Sequence, residues 1–246
     1  MSVFITGASS GIGEACARVF AAAGKDLVLT ARRVDRLIQL KEELLQAYPS
    51  IKVHCFGLDV RQKASIDDLM SQHAHVLQGV DILINNAGLA LGRDPIQKGS
   101  PADWDIVIDT NVKGLLYVTH ALLPIFLSKK SGHIVNVSSV AGLWVYPHGN
   151  VYCASKHAVK AITESLRYDL NGSGIRVTEV SPGMVQTEFS VVRYKGDQRK
   201  ADAVYEGKNP LTASDVAETI LWCVNRPARV NIQEVVMFPT EQPGVL

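Results

Sequence analysis

No run of apolar residues in this 246-residue chain reaches the ~18 that a membrane-spanning helix requires, although 47% of the residues are hydrophobic. That apolar content is enough to bury a substantial core. A surplus of charge is missing too, with 25 Lys+Arg against 24 Asp+Glu and a net charge of +1. Neither nucleic acid nor a membrane surface is therefore expected as a partner, and any cationic site must be local. Cysteine is scarce: Cys16, Cys55, Cys153 and Cys223 are far apart and show no C-x-x-C spacing. They read as reduced thiols of a cytoplasmic protein, with no disulfide framework and no metal site. Met1 leads directly into Val3-Phe4-Ile5-Thr6-Gly7 without a basic stretch, so no cleavable leader is expected. Repeats, low-complexity segments and Pro/Gly-rich linkers are also lacking, which leaves one domain over 1–246.

What is present is an alternation of short β-branched runs and longer helical patterns. Strands are expected at Val3–Thr6, Leu27–Thr30, Ile51–Phe56, Val80–Ile84, His133–Val137, Ile175–Val180 and Val235–Phe238. Between them, helical spacing predicts helices from Ile12 towards Gly24, and at Arg33–Ala47, Ala64–Leu77, Pro101–Leu127, Val151–Leu170 and Ser214–Asn225. Pro124 should end or kink the fourth of these. The order predicts an α/β fold, a doubly wound sheet of about seven parallel strands with helices on both faces. Residues 185–209 break the rhythm with a charged run from Arg193 to Lys200, as a substrate lid would.

The first strand runs into Thr6-Gly7-Ala8-Ser9-Ser10-Gly11-Ile12-Gly13. Glycines let backbone approach a pyrophosphate, and the following helix offers free N–H groups to its charge. The spacing G-x-x-x-G-x-G departs from the G-x-G-x-x-G fingerprint, so position after a strand carries the nucleotide reading. An NAD site places an acid after strand two; here Thr30-Ala31 is followed by Arg32 and Arg33. Two guanidinium forks suit a 2′-phosphate, which favours NADP, while the plainer reading is that they solvate the start of a helix.

Tyr152 and Lys156 lie one helical turn apart, with Ser139 thirteen residues upstream of the tyrosine. A phenol holds its proton to about pH 10, and a nearby cation favours the phenolate, so the pair reads as a proton-transfer device.

Taken together, Thr6–Gly13, Asp59, Asn85-Asn86-Ala87-Gly88, Asn111, Ser139, Tyr152-x-x-x-Lys156 and Pro182-Gly183 resemble the short-chain dehydrogenase/reductase family over essentially the whole chain. The resemblance implies a Rossmann-type sheet and a catalytic tetrad of Asn111, Ser139, Tyr152 and Lys156. In that scheme Tyr152 is general base or acid, Ser139 holds the substrate oxygen, Lys156 holds the nicotinamide ribose and Asn111 supports a water relay. Working near pH 7 would need the pKa of the phenol to fall by ~2–3. It further implies cofactor contacts at Gly7, Ser9, Ser10, Gly11, Ile12 and Gly13, with Asp59 and Val60 flanking the adenine. Asn86, Ala87 and Gly88 would lie along the cofactor, and Pro182, Gly183, Val185 and Thr187 at its nicotinamide end. A homotetramer is the implied assembly, with a dimer as the alternative.

Substrate choice falls to variable loops. Residues 189–197, the tail from Val230 to Gln242 and Leu89-Ala90-Leu91-Gly92 resemble the NADP-dependent 3-hydroxy acid dehydrogenase branch, which acts on serine and allo-threonine. Arg193, in the expected lid, is the candidate cation for the carboxylate, or else a solvated lid charge. Tyr146 is expected to line the pocket. The alternatives are a carbonyl reductase acting on non-acid substrates and a non-catalytic NADP-binding sensor.

Overall fold

The computed structural model describes residues 1–244, so the last two residues of the expected domain lie outside it. Seven strands form one sheet: β1 (Ser2–Thr6), β2 (Asp26–Ala31), β3 (Val53–Gly57), β4 (Val80–Asn85), β5 (Gly132–Val137), β6 (Ile175–Pro182) and β7 (Glu234–Met237). Every pairing is parallel, in the order β3-β2-β1-β4-β5-β6-β7. Parallel neighbours need crossovers, and the helices that supply them cover both faces.

Alternation along β1 shows how the residues achieve this. Val3 and Ile5 face α1 (Gly11–Ala22), α2 (Val34–Ala47) and α10 (Ala213–Val224), packing with Phe20, Leu40 and Ile220. Phe4 points the other way, into a layer with Leu69 of α3 (Lys63–Gln72) and Leu122 and Phe126 of α6 (Leu115–Lys129). Both layers are closed to water, which is why the strands read as apolar runs rather than alternating ones.

Strand order reverses direction between β1 and β4. In open parallel sheets that reversal opens a crevice at the carboxyl ends of the strands. Here it lies between the turns after Thr6 and Asn85, and the candidate site occupies it.

Several elements differ from the expectation. The helix expected at Ala64–Leu77 breaks at His73, leaving α3 and the single turn α4 (Ala74–Leu77). The helix expected at Pro101–Leu127 is α5 (Pro101–Ile108), a π-helical turn at Asp109–Gly114 and then α6. Thr110 Oγ1 donates back to the Ile106 carbonyl at 2.7 Å, a local bond that competes with regular helix hydrogen bonding. Pro124 lies inside α6, which continues to Lys129. Residues 185–209 are not wholly irregular, since α8 (Phe189–Arg193) and α9 (Gln198–Ala203) form within them. α10 begins at Ala213, one residue before the expected start, with Thr212 capping it in a reciprocal box with Asp215. The long α7 (Asn150–Asp169) carries Tyr152 and Lys156 on its first turns.

Candidate active site

The phosphate turn between β1 and α1 is shaped by close backbone packing. Gly7 adopts φ +66°, a conformation that favours glycine. A Cβ on Gly13 would collide with the Gly7 carbonyl and the Asn86 side-chain amide. Thr6 Oγ1 accepts from the backbone N–H groups of Asn86 (3.0 Å) and Ala87 (2.9 Å), and Asn86 Nδ2 donates to the Thr6 carbonyl at 2.9 Å. These bonds tie the turn after β4 to the turn after β1. Ser10 caps α1 without a side-chain bond, which leaves the first N–H groups of a 12-residue helix available to an anion. The glycine cradle and those donors fit a dinucleotide pyrophosphate.

At the far end of the groove, Arg32 is exposed and makes no hydrogen bond or ion pair among the described residues. Arg33 is engaged: it donates to Ser9 Oγ, to Ser10 Oγ at 2.7 Å and to Glu188 at 2.9 Å. Asp59 accepts from both Arg61 Nε and the Arg61 backbone N–H, and that pairing holds its carboxyl below the usual range.

Ser139, Tyr152 and Lys156 lie at the other end of the groove. Lys156 Nζ sits 5.9 Å from the Tyr152 ring centroid and donates to the Val137 carbonyl at 3.0 Å. Burial lowers the lysine to about 8. Burial, reinforced by Tyr146, pushes the Tyr152 phenol above its ordinary value, while Ser139 and Arg193 pull it down. Ser139 Oγ accepts from Ala141 N–H at 3.1 Å and faces the Pro182 carbonyl. Asn111, on the π-helical turn, is fully occupied. Its Oδ1 accepts from Leu89 N–H at 2.9 Å, and its Nδ2 donates to the Leu89 carbonyl and Ser155 Oγ. A Cβ on Gly88 would touch both Asn111 Oδ1 and Lys156 Nζ, so Gly88 passes between them.

Arg193 reaches this end from α8. Its Nη1 donates to the Tyr146 hydroxyl and its Nε to the Gly92 carbonyl, both at 3.1 Å. The guanidinium carbon lies 5.6 Å from the Tyr146 ring and 5.8 Å from the Tyr152 ring.

One groove gathers Gly7, Ser9–Ile12, Arg32, Arg33, Asp59, Val60, Asn86–Gly88, Ser139, Tyr152, Lys156, Pro182, Gly183, Val185 and Thr187. Gly13 and Asn111 support its wall from behind instead of lining it, and Arg193 and Tyr146 stand just beyond its Tyr152 end. Lining residues that sequence reasoning did not assign to the site include Leu58, Thr110 and Glu188, while Leu89 and Phe189 come from the loops read as setting substrate choice. Phe189 packs on Tyr152 with ring centroids 5.5 Å apart. Glu188 had a signal, because Arg33 and Arg36 share a helix face and want an acid opposite them. No group of three or more His, Cys, Asp or Glu suited to a metal occurs among the described residues. No described helix is long and apolar enough to cross a membrane.

Comparison with known proteins gives the same picture. A family model described as short chain dehydrogenase matches residues 1–198. The chain is 48% identical to sulfoacetaldehyde reductase 2 of Chromohalobacter salexigens, covering 98% of this chain and 94% of that one. It is 44% identical to the NADP-dependent 3-hydroxy acid dehydrogenase YdfG of Escherichia coli K12, over 98% and 96%. Among solved structures, the closed form of serine dehydrogenase complexed with NADP+ superposes with a TM-score of 0.94 at 44% identity, over 98% and 96%.

Proposed function

The chain belongs to the short-chain dehydrogenase family, as an NADP-dependent oxidoreductase acting on alcohol groups, and on that footing we propose that it interconverts small 3-hydroxy acids and their 3-oxo forms. Serine and allo-threonine are the model substrates. The observation that carries this reading is the Arg193 guanidinium 5.8 Å from the Tyr152 ring, a cation beside the group that handles the proton. A 3-hydroxy acid has its carboxylate carbon two bonds from the reacting carbon. An anchored carboxylate would therefore bring the hydroxyl towards Tyr152.

When bound, NADP supplies the hydride acceptor and, in its oxidised form, a positive ring beside the phenol. Tyr152 removes the hydroxyl proton in oxidation and returns it in reduction. Ser139 donates to the substrate oxygen and stabilises charge developing there. Lys156 favours the phenolate and holds the nicotinamide ribose. Asn111 acts through Leu89, fixing the backbone that follows Gly88 along the cofactor. Residues 185–209 serve as the lid over this site. Oxidised serine would be a 2-amino-3-oxo acid, which can lose carbon dioxide after release without further catalysis.

A second reading is favoured by the 48% identical reductase from C. salexigens. Sulfoacetaldehyde also carries its acidic group two bonds from the reacting carbon, so the same arginine would serve a sulfonate. A homotetramer in the cytoplasm is the setting that family resemblance and four free thiols support.

Following NADPH absorbance with L-serine, L-allo-threonine, 3-hydroxybutyrate, sulfoacetaldehyde and a neutral secondary alcohol tests the reading. Turnover of the acids above the neutral alcohol is expected. Turnover of the neutral alcohol alone would end the acid proposal, and tight NADP binding without any turnover would favour a sensor.

A further inference from the structure

Glu188, in the lid segment, pairs with Arg33 and Arg36 on the β2–α2 side of the groove. It follows Thr187, whose side chain lies 3.3 Å from where a Cβ of Gly11 would stand, so this part of the lid rests on the phosphate turn. Its carboxylate accepts from Arg33 Nη1 at 2.9 Å and from Arg36 Nη1 at 2.7 Å. Arg33 in turn is fastened to Ser9 and Ser10 of the phosphate turn. The chain of contacts Ser10–Arg33–Glu188–Arg36 therefore crosses from the phosphate turn to the base of the lid and on to α2, along the groove wall.

A guanidinium has five N–H donors in a fixed fork. Nε, one Nη1 donor and Nη2 of Arg33 already point at the serines and Glu188. Turning that fork to a 2′-phosphate would break the contact with Glu188. Arg32 has no such commitment. The anion that Arg33 holds in this structure is a carboxylate of the protein itself.

We infer that Glu188 is a positioning residue, a clasp that holds the lid base against Arg33 and Arg36, and that Arg32 alone selects the 2′-phosphate. The second half rests on the NADP reading of this site; the first half does not. The clasp slows escape of any dinucleotide, phosphorylated or not. Its two ion pairs are each nearly half exposed, so salt weakens it. The far side of the lid has its own tie, Lys195 to Asp103 at 2.7 Å, which Glu188 variants leave intact.

Two measurements separate the halves. The first is trypsin cleavage of the full-length protein without cofactor, which reads lid opening at Arg199 and Lys200. Glu188→Gln and Arg36→Ala should speed lid cleavage several-fold with overall melting unchanged, and NADPH dissociation followed by its fluorescence should quicken to match. Unchanged cleavage and dissociation in both variants would overturn the clasp. The second is the dissociation constant for NADPH and NADH in Arg32→Ala and Arg33→Ala. Arg32→Ala should lose at least tenfold for NADPH and little for NADH, whereas Arg33→Ala should weaken both by one common factor. A loss confined to NADPH in Arg33→Ala would return Arg33 to the phosphate and overturn the assignment. No selective loss in either variant would defeat the 2′-phosphate reading and leave the cleavage result to judge the clasp by itself.

Discussion

The Arg193 guanidinium carbon stands 5.8 Å from the centroid of the Tyr152 ring, held there by donation to Tyr146 and to the Gly92 carbonyl. One hydrogen bond of Arg193 goes to a backbone carbonyl and one to a phenol, so no protein carboxylate neutralises it among the described residues. A substrate anion can. A charge-assisted bond contributes about 1.5–3 kcal/mol, or roughly 10–100-fold in affinity. Arg193→Ala should raise KM for 3-hydroxy acids, and for a sulfonate substrate, by about that factor. KM for a neutral ketone should stay within about twofold, and Arg193→Lys should recover part of the loss. Equal effects on acids and neutral ketones, measured under saturating NADPH, would contradict anion binding here.

Tyr152 and Lys156 are both pushed towards their neutral forms by burial, the tyrosine upward and the lysine down to about 8. In the proposed mechanism, removing the phenol hydroxyl takes away the proton carrier but no groove wall. Tyr152→Phe should lower kcat by about 10²–10⁴-fold or more while the NADPH dissociation constant hardly moves. Retained turnover would remove Tyr152 from the mechanism.

Lys156 also predicts a stability effect with a definite sign. Its folded value is depressed, from 10.5 to about 8. Between those values the unfolded chain holds the proton and the folded chain does not, so stability rises as pH climbs through that window and is lost as pH falls towards about 8. Below it, the buried cation is a standing cost of about 1.4 kcal/mol for each tenfold loss of proton affinity, burial being the larger cause and attraction to Glu179 opposing it. Lys156→Met should therefore melt higher than the parent at pH 7, with the gain shrinking towards pH 10. A variant that is less stable at pH 7 and gains nothing relative to the parent with falling pH would contradict the desolvation argument.

The sheet was readable because both of its faces are covered. Runs such as Leu27-Val28-Leu29 and Ile82-Leu83-Ile84 have no solvent side, and turn residues bound them. Segment ends and interruptions were not readable. The π-helical turn at Asp109–Gly114 depends on tertiary contact: a Cβ at Gly114 would strike Val60, from a different part of the chain. Tyr152 and Lys156, one helical turn apart, stand together in the groove as their local spacing suggests. The contact of Arg33 with Glu188, about 150 residues further on, follows from the tertiary fold: Arg33 and Arg36 called for an acid, but no linear pattern said which one.

The Gly13 backbone is packed so tightly that it tests the phosphate turn directly. An added Cβ would meet the Gly7 carbonyl and Asn86 Nδ2, both of which hold the two turns of the crevice together. Overpacking of this kind costs about 1–3 kcal/mol. Gly13→Ala should melt lower by that amount and bind NADPH and NADH equally poorly. Gly24→Ala, at a helix end with open space around it and φ +70°, is the control for a loss of stability without crowding of the turn. It should lose stability but keep cofactor affinity. Normal NADPH binding by Gly13→Ala would show that the turn tolerates displacement and is not the cradle described.

His133, 1% exposed on β5, makes the fold sensitive to acid. Thr178 Oγ1 donates to the Ile232 carbonyl at 2.6 Å, so it must accept from His133 Nε2, 2.8 Å away. That fixes the proton on Nε2 and leaves Nδ1 buried without a partner. Protonating Nδ1 would place a charge in the core beside Arg176. Burial first, and Arg176 second, lower the imidazole from 6.5 to about 3. As pH drops below 6.5, the unfolded chain takes up a proton that the folded chain refuses, so stability falls across the window from 6.5 to about 3. At about 1.4 kcal/mol for each tenfold loss of proton affinity, this one side chain accounts for several kcal/mol of acid sensitivity. His133→Gln keeps a donor for Thr178 and removes the titration. Urea midpoints at pH 7, 5 and 4 should fall less steeply in the variant than in the parent, even if the variant starts lower at pH 7. Parallel slopes would mean that His133 is not the group that titrates.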